Sequence, residues 1–337
     1  MSTVSVTIPC RNEEKYIAKC LQSIIDCDYE KSKLTVFVCD GLSDDRTQAI
    51  INEFSEKYPF IQLLVNHKKT TPQALNLGLK ANDAAVKIIL GAHAEIYHDY
   101  IKNCVEILNT KAEVGCVGGI LENVMEDETS TIISLAMSSS FGVGNAHFRT
   151  GEKDGYVDTV AFGAYKNEVF TKAGYFDEDL IRNQDDEFNY RLQTSGYKIF
   201  LSKNIKSKYY VRASYQKLYK QYYQYGYWKV FVNTKHKTVT TIRQTIPALF
   251  VMFIFFGSWL SLLSHFFFSI FLAGLFAYLA IGLYSANKKS ANALATIKIF
   301  YVFFILHFSY GLGYLKGIID FVVMGRRPSK KSEALTR

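Results

Sequence analysis

Residues 34–47 read LTVFVCDGLSDDRT. Six apolar or β-branched residues, Leu34 to Cys39, stop at Asp40, and Gly41, Ser43, Asp44 and Asp45 follow. Ile50, Ile51 and Phe54 then fall on one helical face. The pattern predicts a buried strand, a tight loop and a helix start. Open α/β sheets bind ligands at the carboxyl ends of their parallel strands, where Asp40 stands. A carboxylate there accepts a hydrogen bond from the N–H edge of a base or from a ribose hydroxyl. The residues alone also allow a plain turn acid ahead of an N-cap at Ser43 or Asp44.

The same strand–loop–helix unit recurs on both sides. Val4 to Ile8 runs into Pro9-Cys10-Arg11-Asn12-Glu13-Glu14, and Tyr16, Ile17, Cys20, Leu21 and Ile24 follow at helical spacing. Ile61–Val65 is a third strand, with Pro72 at the next helix start and Ala74, Leu75 and Leu79 as its apolar face. Val86–Leu90 is a fourth, ending in Gly91-Ala92-His93-Ala94-Glu95. Such alternation means a parallel sheet with crossover helices. No GxGxxG follows the first strand, which weakens a dinucleotide reading. Beyond Gly115 the alternation fades. Val114–Val117 and Tyr156–Ala164 read as strands, Met125–Thr131 as polar, and the Ser- and Gly-rich 138–155 as a mobile loop near the site. Arg182-Asn183-Gln184-Asp185-Asp186-Glu187-Phe188-Asn189-Tyr190-Arg191-Leu192 reads as a helix with its acids at the amino end, where the dipole favours anions.

Charge divides the chain. Residues 1–196 carry 29 acids and 19 Lys/Arg, whereas 197–337 carry 2 acids and 20 Lys/Arg. From Tyr197 to Arg243 there are eleven Lys/Arg and no acid. Such a run suits nucleic acid or an anionic membrane surface, and the long apolar segments after it decide for the membrane and against nucleic acid. Residues 214–232, SYQKLYKQYYQYGYWKVFV, mix Tyr, Trp and Lys as an interfacial helix does. Ile246–Leu263 and Phe266–Tyr284 are each long enough to span a bilayer and predict a hairpin around Ser264-His265. The third apolar stretch, Ile297–Val323, is interrupted by His307, Gly311, Gly313, Lys316, Gly317 and Asp320, and its path stays open. The expected organisation is a catalytic domain at 1–213, an interfacial segment at 214–243, a transmembrane region at 244–325 and a basic tail at 326–337. All six cysteines lie within the first 116 residues and none forms a CxxC pair, which predicts reduced structural thiols. MSTVSVTIP starts a strand almost at once and lacks the basic and apolar regions of a signal peptide.

IPCRNEE, VCDGLSDDRT, the strand end GAHAE and RNQDDEFNYRL, in this order, resemble the family 2 glycosyltransferases of the GT-A fold. That fold is α/β, a mixed sheet with flanking helices. NQDDEFNYRL, QYYQYGYWK and HFSYGLGYLKG are similar to the succinoglycan-type (ExoA-like) membrane glucosyltransferases, and this resemblance covers nearly the whole chain. It implies an inverting transferase that moves a sugar, a hexose by analogy, from a UDP-sugar onto a lipid-linked polyprenyl diphosphate saccharide in exopolysaccharide assembly. It implies a multi-pass protein of the inner or cytoplasmic membrane with its catalytic domain in the cytosol. Carried over by position, Pro9, Arg11 and Glu13 match the first nucleotide-contacting loop, and Asp40 matches the acid that pairs with uracil. Gln73, Asn76 and His93 fall on the donor side. Asp185 matches the general base, supported by Asp186, Glu187 and Arg191. Gln221, Gln224, Tyr225 and Trp228 stand where related synthases carry an acceptor-holding QxxRW. The family's metal-binding DxD triplet reads Gly91-Ala92-His93 here, so a divalent cation, Mn2+ or Mg2+, is in question. His93 and Glu95 are the residues that could ligate one, although Mg2+ prefers oxygen to imidazole. Gln184 replaces the acid that usually precedes the base, so Asp185 faces less like charge. Two alternatives remain: a polyprenyl-phosphate sugar synthase, and a catalytically inactive membrane-bound sugar-nucleotide-binding protein.

Overall fold

The computed structural model describes residues 1–144, 146–151, 154–211 and 214–328. The chain forms two compact units, one of Met1–Val124 with Ala146–Tyr210 and one of Met125–Asn145 with Val211–Arg337.

The first unit is built on one nine-stranded sheet. Its strands are β1 (Val4–Cys10), β2 (Leu34–Asp40), β3 (Ile61–Val65), β4 (Val86–Ile89), β5 (Ala94–Ile96), β6 (Val114–Val124), β7 (Gly155–Val157), β8 (Ala161–Lys166) and β9 (Lys198–Tyr210). The order is β3-β2-β1-β4-β8-β6-β9-β5, with β7 paired to β9. The first four pair in parallel, with Cys10 opposite Asp40 and Thr7 opposite Ile89. β8 is antiparallel to both β4 and β6, whereas β9 runs parallel to β6. The sheet is therefore mixed, as the GT-A resemblance implies. The order reverses between β1 and β4, so the loops after β1, β2 and β4 border the switch point where such sheets bind ligands.

Helices α1 (Ile17–Ile25), α2 (Thr47–Lys57), α3 (Thr71–Leu79) and α4 (Tyr100–Thr110) connect these strands. α1 buries Ile17, Cys20, Leu21 and Ile24, the i, i+3, i+4, i+7 set expected from sequence. Ile17, Leu21 and Ile24 each contribute about 1.5–3 kcal/mol by burial. The two strands expected within 114–117 and 156–164 differ from expectation. β6 runs on to Val124, and the second is split into β7 and β8, with Phe162 in the left-handed region at φ 49°.

Met125–Asn145 carries α5 (Glu128–Met137) and α6 (Ser140–Val143) and belongs to the second unit. The Asp127 carboxylate accepts from the Ser130 N–H, and the Ser130 hydroxyl accepts from the Asp127 N–H, a reciprocal cap that starts α5 inside a polar stretch. The expected loop at 138–155 thus holds α6 and, in the first unit, α7 (His147–Thr150). Next in the first unit come α8 (Asn167–Ala173) and α9 (Gln184–Thr194).

The second unit continues with α10 (Tyr215–His236), α11 (Ile246–Leu260), α12 (His265–Asn287) and α13 (Ala293–Gly317), extended by a π-helical turn, Ile318–Val323. Ile242–Leu260, His265–Asn287 and Ala293–Val323 are each long and apolar enough to cross a membrane. The glycines that interrupt the third stretch form a seam rather than a break. A Cβ at Gly313 would lie 2.0 Å from the Tyr223 carbonyl oxygen, and one at Gly226 2.0 Å from that of Tyr310. α10 and α13 therefore meet backbone to backbone, as small residues permit in membrane helices. Asp320 caps the seam by accepting from Tyr227 Oη (3.1 Å) and pairing with Lys316 (2.7 Å). Of the expected basic tail, Arg326–Pro328 are described and 329–337 lie outside the described residues.

Candidate active site

The loops after β1 and β2 are stitched into one wall. Asn12 N–H donates to Ser43 Oγ (2.8 Å), and Asn12 Oδ1 accepts from Asp44 N–H (3.0 Å). Glu13 N–H donates to Thr47 Oγ1 (2.8 Å), Glu14 N–H to Asp45 Oδ2 (3.2 Å), and Arg46 N–H returns a bond to Glu14 Oε2 (3.0 Å). Asn12 and Leu42 both take left-handed backbone angles to make these turns. The cost is small for Asn12 and larger for Leu42.

Asp40 is buried at the base of this wall. Its carboxylate accepts from Ser43 N–H (3.0 Å), the Ser43 hydroxyl and the Gln48 amide, and the Cys10 thiol lies 3.8 Å away. Burial, with the charge of Asp40 adding to it, pushes the Cys10 thiol well up and keeps it a donor. Asp40 thus holds the loop, in line with the turn-acid alternative, and a nucleobase would have to exchange with one of these donors. Pro9 stands in β1 opposite Cys39. A side chain at Gly41 would meet the stem of Arg11 at 3.4 Å, and the Arg11 Nε–H is buried without a hydrogen-bond partner.

At the end of β4, His93 Nδ1 lies 3.3 Å from Glu13 Oε1, and the imidazole meets the Tyr209 ring edge-on at 5.1 Å. Glu95 does not turn toward His93 as a ligand. It accepts from the Tyr210 hydroxyl and pairs with Lys208 at 3.6 Å. Among the described residues no group of three or more His, Cys, Asp or Glu side chains could hold a metal ion. One imidazole engaged by a carboxylate is a poor donor set for Mg2+ and an incomplete one for Mn2+, so these residues do not fit the cation that the GT-A resemblance implies.

On α3, Gln73 Oε1 accepts from Thr70 Oγ1 (2.9 Å), and the buried Asn76 clamps the chain at 176–178. Asn76 Nδ2 donates to the Phe176 carbonyl (2.9 Å) and Glu178 (3.0 Å), and its Oδ1 accepts from Phe176 N–H (3.0 Å). The amide of Asn76 holds the Glu178 carboxyl below its usual range. Both residues line a cleft of about 450 Å³ with Lys68, Lys80 and Glu178.

α9 begins after Asn183, which takes φ 58°. Asp185 is exposed, and its Oδ1 accepts from the Asp186 N–H at 2.9 Å. Burial drives the Tyr165 phenol far up, with Cys116 and then the charge of Asp185 adding to it, so Asp185 lies near β8. Glu187 is buried and forks onto Arg191, with Oε1–Nε 2.6 Å and Oε2–Nη2 2.7 Å. Arg191 also donates to the carbonyls of Ala173 and Tyr175. The pair braces the turn before α9, while Asp185 projects from its first turn.

Gln221, Gln224, Tyr225 and Trp228 all lie on α10, in the second unit. Gln221 Nε2 donates to Tyr225 Oη at 2.7 Å, and Trp228 is fully buried. Sequence reasoning missed α7, where His147 Nδ1, Arg149 Nη1 and Thr150 Oγ1 are buried without hydrogen-bond partners.

The description "Glycosyl transferase family 2" matches residues 5–173. The chain is 34% identical over 233 residues, 67% of its length and 72% of the relative's, to the dolichyl N-acetyl-alpha-D-glucosaminyl phosphate 3-beta-D-2,3-diacetamido-2,3-dideoxy-beta-D-glucuronosyltransferase of Methanococcus voltae. It is 25% identical over 328 residues, 94% of its length and 95% of the relative's, to the succinoglycan biosynthesis protein ExoA of Rhizobium meliloti. The mannosyltransferase PcManGT from Pyrobaculum calidifontis, solved in complex with GDP-Man and Mn2+, superposes with a TM-score of 0.60 at 20% identity, covering 94% of this chain and 87% of that one. That likeness shows the fold.

Proposed function

The chain belongs to glycosyl transferase family 2 and is a glycosyltransferase, and from that membership we propose that it moves a hexose from a UDP-sugar, with inversion, onto a lipid-linked saccharide during assembly of an extracellular or surface polysaccharide. The observation that carries this reading is the exposed carboxylate of Asp185, set on the first turn of α9 by the brace of buried Glu187 on half-buried Arg191. The acceptor hydroxyl oxygen attacks the anomeric carbon as Asp185 takes its proton. The bond from that carbon to the diphosphate breaks, and its electron pair leaves on the diphosphate oxygen. One displacement with one base turns an α-linked donor into a β-glycoside. Asp40 reads the uracil edge, with the Gln48 amide giving way to the base N–H. The stitched loops of Arg11–Glu14 and Gly41–Thr47 shape the donor pocket.

The lipid-linked acceptor is supported by the second unit. α10 has no acid in 22 residues and carries Tyr, Trp and Lys, so it suits a headgroup interface. α11 and α12 form the membrane hairpin. α13 meets them near Pro247, Phe250 and Phe255 and near Tyr278 and Gly282, short of the tip at 261–264. It also follows α10, from the Tyr215–Tyr301 ring contact to the Tyr227–Phe321 contact. We therefore read α13 as lying with α10 at the cytosolic base of the hairpin. Lys288 and Arg326–Arg327 then share the cytosolic side with the catalytic unit, in keeping with the positive-inside bias. The six native cysteines are buried. Lys288→Cys and Arg327→Cys should resist labelling from outside intact cells, and external labelling of Arg327→Cys would mean that α13 crosses.

Radiolabelled UDP- and GDP-sugars offered to membranes containing the protein and a lipid-linked saccharide test the reaction. Label should pass from the UDP-sugar into the lipid fraction on an extended saccharide. Label on the bare polyprenyl phosphate would favour a single-sugar lipid synthase.

A further inference from the structure

Transfer from a nucleotide sugar leaves a diphosphate whose developing charge must meet a cation or fixed donors. The triplet after β4 offers no metal group. The register of the sheet shows what else stands there. Tyr209 on β9 pairs with Ala94, the residue after His93, on one side and with Asn123 of β6 on the other. Two cationic or basic groups flank its ring: His93 edge-on at 5.1 Å, and the Arg149 guanidinium 5.8 Å from the centroid. His93 faces Glu13, whereas Arg149 Nη1 is shielded from solvent with no acceptor. His147 and Thr150, one helical turn apart on the same short helix, each hold a further buried polar atom without a partner. Leaving a guanidinium N–H buried and unpaired is costly, and a protein keeps such a group where an acceptor arrives from outside. A planar, permanently charged guanidinium matches the paired oxygens of a phosphate.

We propose that Arg149 binds the diphosphate of the donor beside the strand end that carries His93, and that donor binding and transfer need no divalent cation. This rests on the nucleotide-sugar reading above. As the anomeric bond breaks, the electron pair arrives on the diphosphate oxygen and the fixed charge of Arg149 meets it. Thr150 Oγ1 is placed one residue on as a neutral donor. A guanidinium does not dissociate as a metal does, so chelation leaves the site intact.

The test is calorimetry of UDP, UMP and GDP binding to the full chain in nanodiscs, in EDTA and in excess Mn2+, with R149Q and R149K beside the wild type. UDP should bind the wild type with the same affinity, within about twofold, in both conditions, since no metal–phosphate contact is lost. R149Q should lose about tenfold or more in UDP affinity, the loss of one charge-assisted pair, and the advantage of UDP over UMP with it. R149K should recover part of that loss. UDP binding that strengthens tenfold in Mn2+ would overturn the proposal while leaving the donor reading intact, as would an R149Q chain that keeps its UDP affinity. Failure of every nucleotide to bind in both conditions would overturn the donor reading itself. The wild-type comparison stands even if a variant does not fold.

Discussion

The loop wall at the ends of β1 and β2 and the short helix α7 treat polar side chains in opposite ways. In the wall, Asn12, Ser43, Asp45, Thr47 and Asp40 spend their hydrogen bonds on one another or on nearby backbone. On α7, Arg149, His147 and Thr150 bury polar atoms with no partner. Apart from Arg11 Nε, which is buried in the wall without a partner, the first arrangement makes shape and the second makes demand. α9 repeats the division within one turn. Glu187 is buried and consumed by Arg191, while Asp185, two residues earlier, is exposed. A motif of acids in sequence is thus two different devices in space: a brace at Glu187 and an exposed carboxylate at Asp185.

Substitutions should separate the two. The largest effect on rate is expected at Asp185→Asn, which keeps the shape and loses the carboxylate proposed as proton acceptor. Transfer should fall about a hundredfold or more while UDP affinity stays near wild type. Calorimetry and initial rates on one preparation check this, and retention of more than about a tenth of the rate would remove Asp185 from the base role. Glu187→Ala should act on stability instead. It strips the carboxylate from Arg191, which is part-exposed and keeps the Ala173 and Tyr175 carbonyls, and should cost about 1.5–3 kcal/mol, the worth of a charge-assisted hydrogen bond. Denaturant unfolding reads it, and an unchanged midpoint would mean that the pair does not brace α9.

Asp40→Ala tests whether the wall only makes shape. A charge-assisted hydrogen bond is worth about 1.5–3 kcal/mol, and that loss should appear in UDP affinity rather than in turnover. Equal UDP affinity would leave Asp40 as a turn acid. The smallest effect is expected at Asn76→Ala, which removes the clamp on Phe176 and Glu178. Stability should fall by about 1–3 kcal/mol, with turnover at saturating donor unchanged.

Much of this was legible from residues. The apolar runs that end at Cys10, Asp40 and Leu90 mark the switch-point strands, because buried parallel strands have few other ways to be written. The acids of 185–187 mark a helix start for dipole reasons. Three features were hidden. α5 hides in a polar stretch, although Asp127 and Ser130 three residues apart write its cap. β9 hides in the basic run from Tyr197, where charge masks the alternation of Lys206 and Lys208 with buried Ile205 and Ser207. Arg149 hides among Ser and Gly without periodicity, since four residues are too few to write a helical face. Gly313 and Gly317 of α13 looked like interruptions because their purpose, the approach of Tyr223 and Tyr227, lies on another helix, and Gly311 likewise meets Pro247 of α11.

Transfer from a nucleotide sugar to a lipid-linked saccharide, with Asp185 as the proposed base, can be followed in its product. The most direct measurement supplies purified protein in nanodiscs with a radiolabelled UDP-hexose and a lipid-linked saccharide, then determines the anomeric configuration of the labelled lipid product. The account predicts a β-linked sugar on an extended lipid-linked saccharide, absent with Asp185→Asn. An α-linked product, or a labelled product that persists at the wild-type rate in Asp185→Asn, would contradict it.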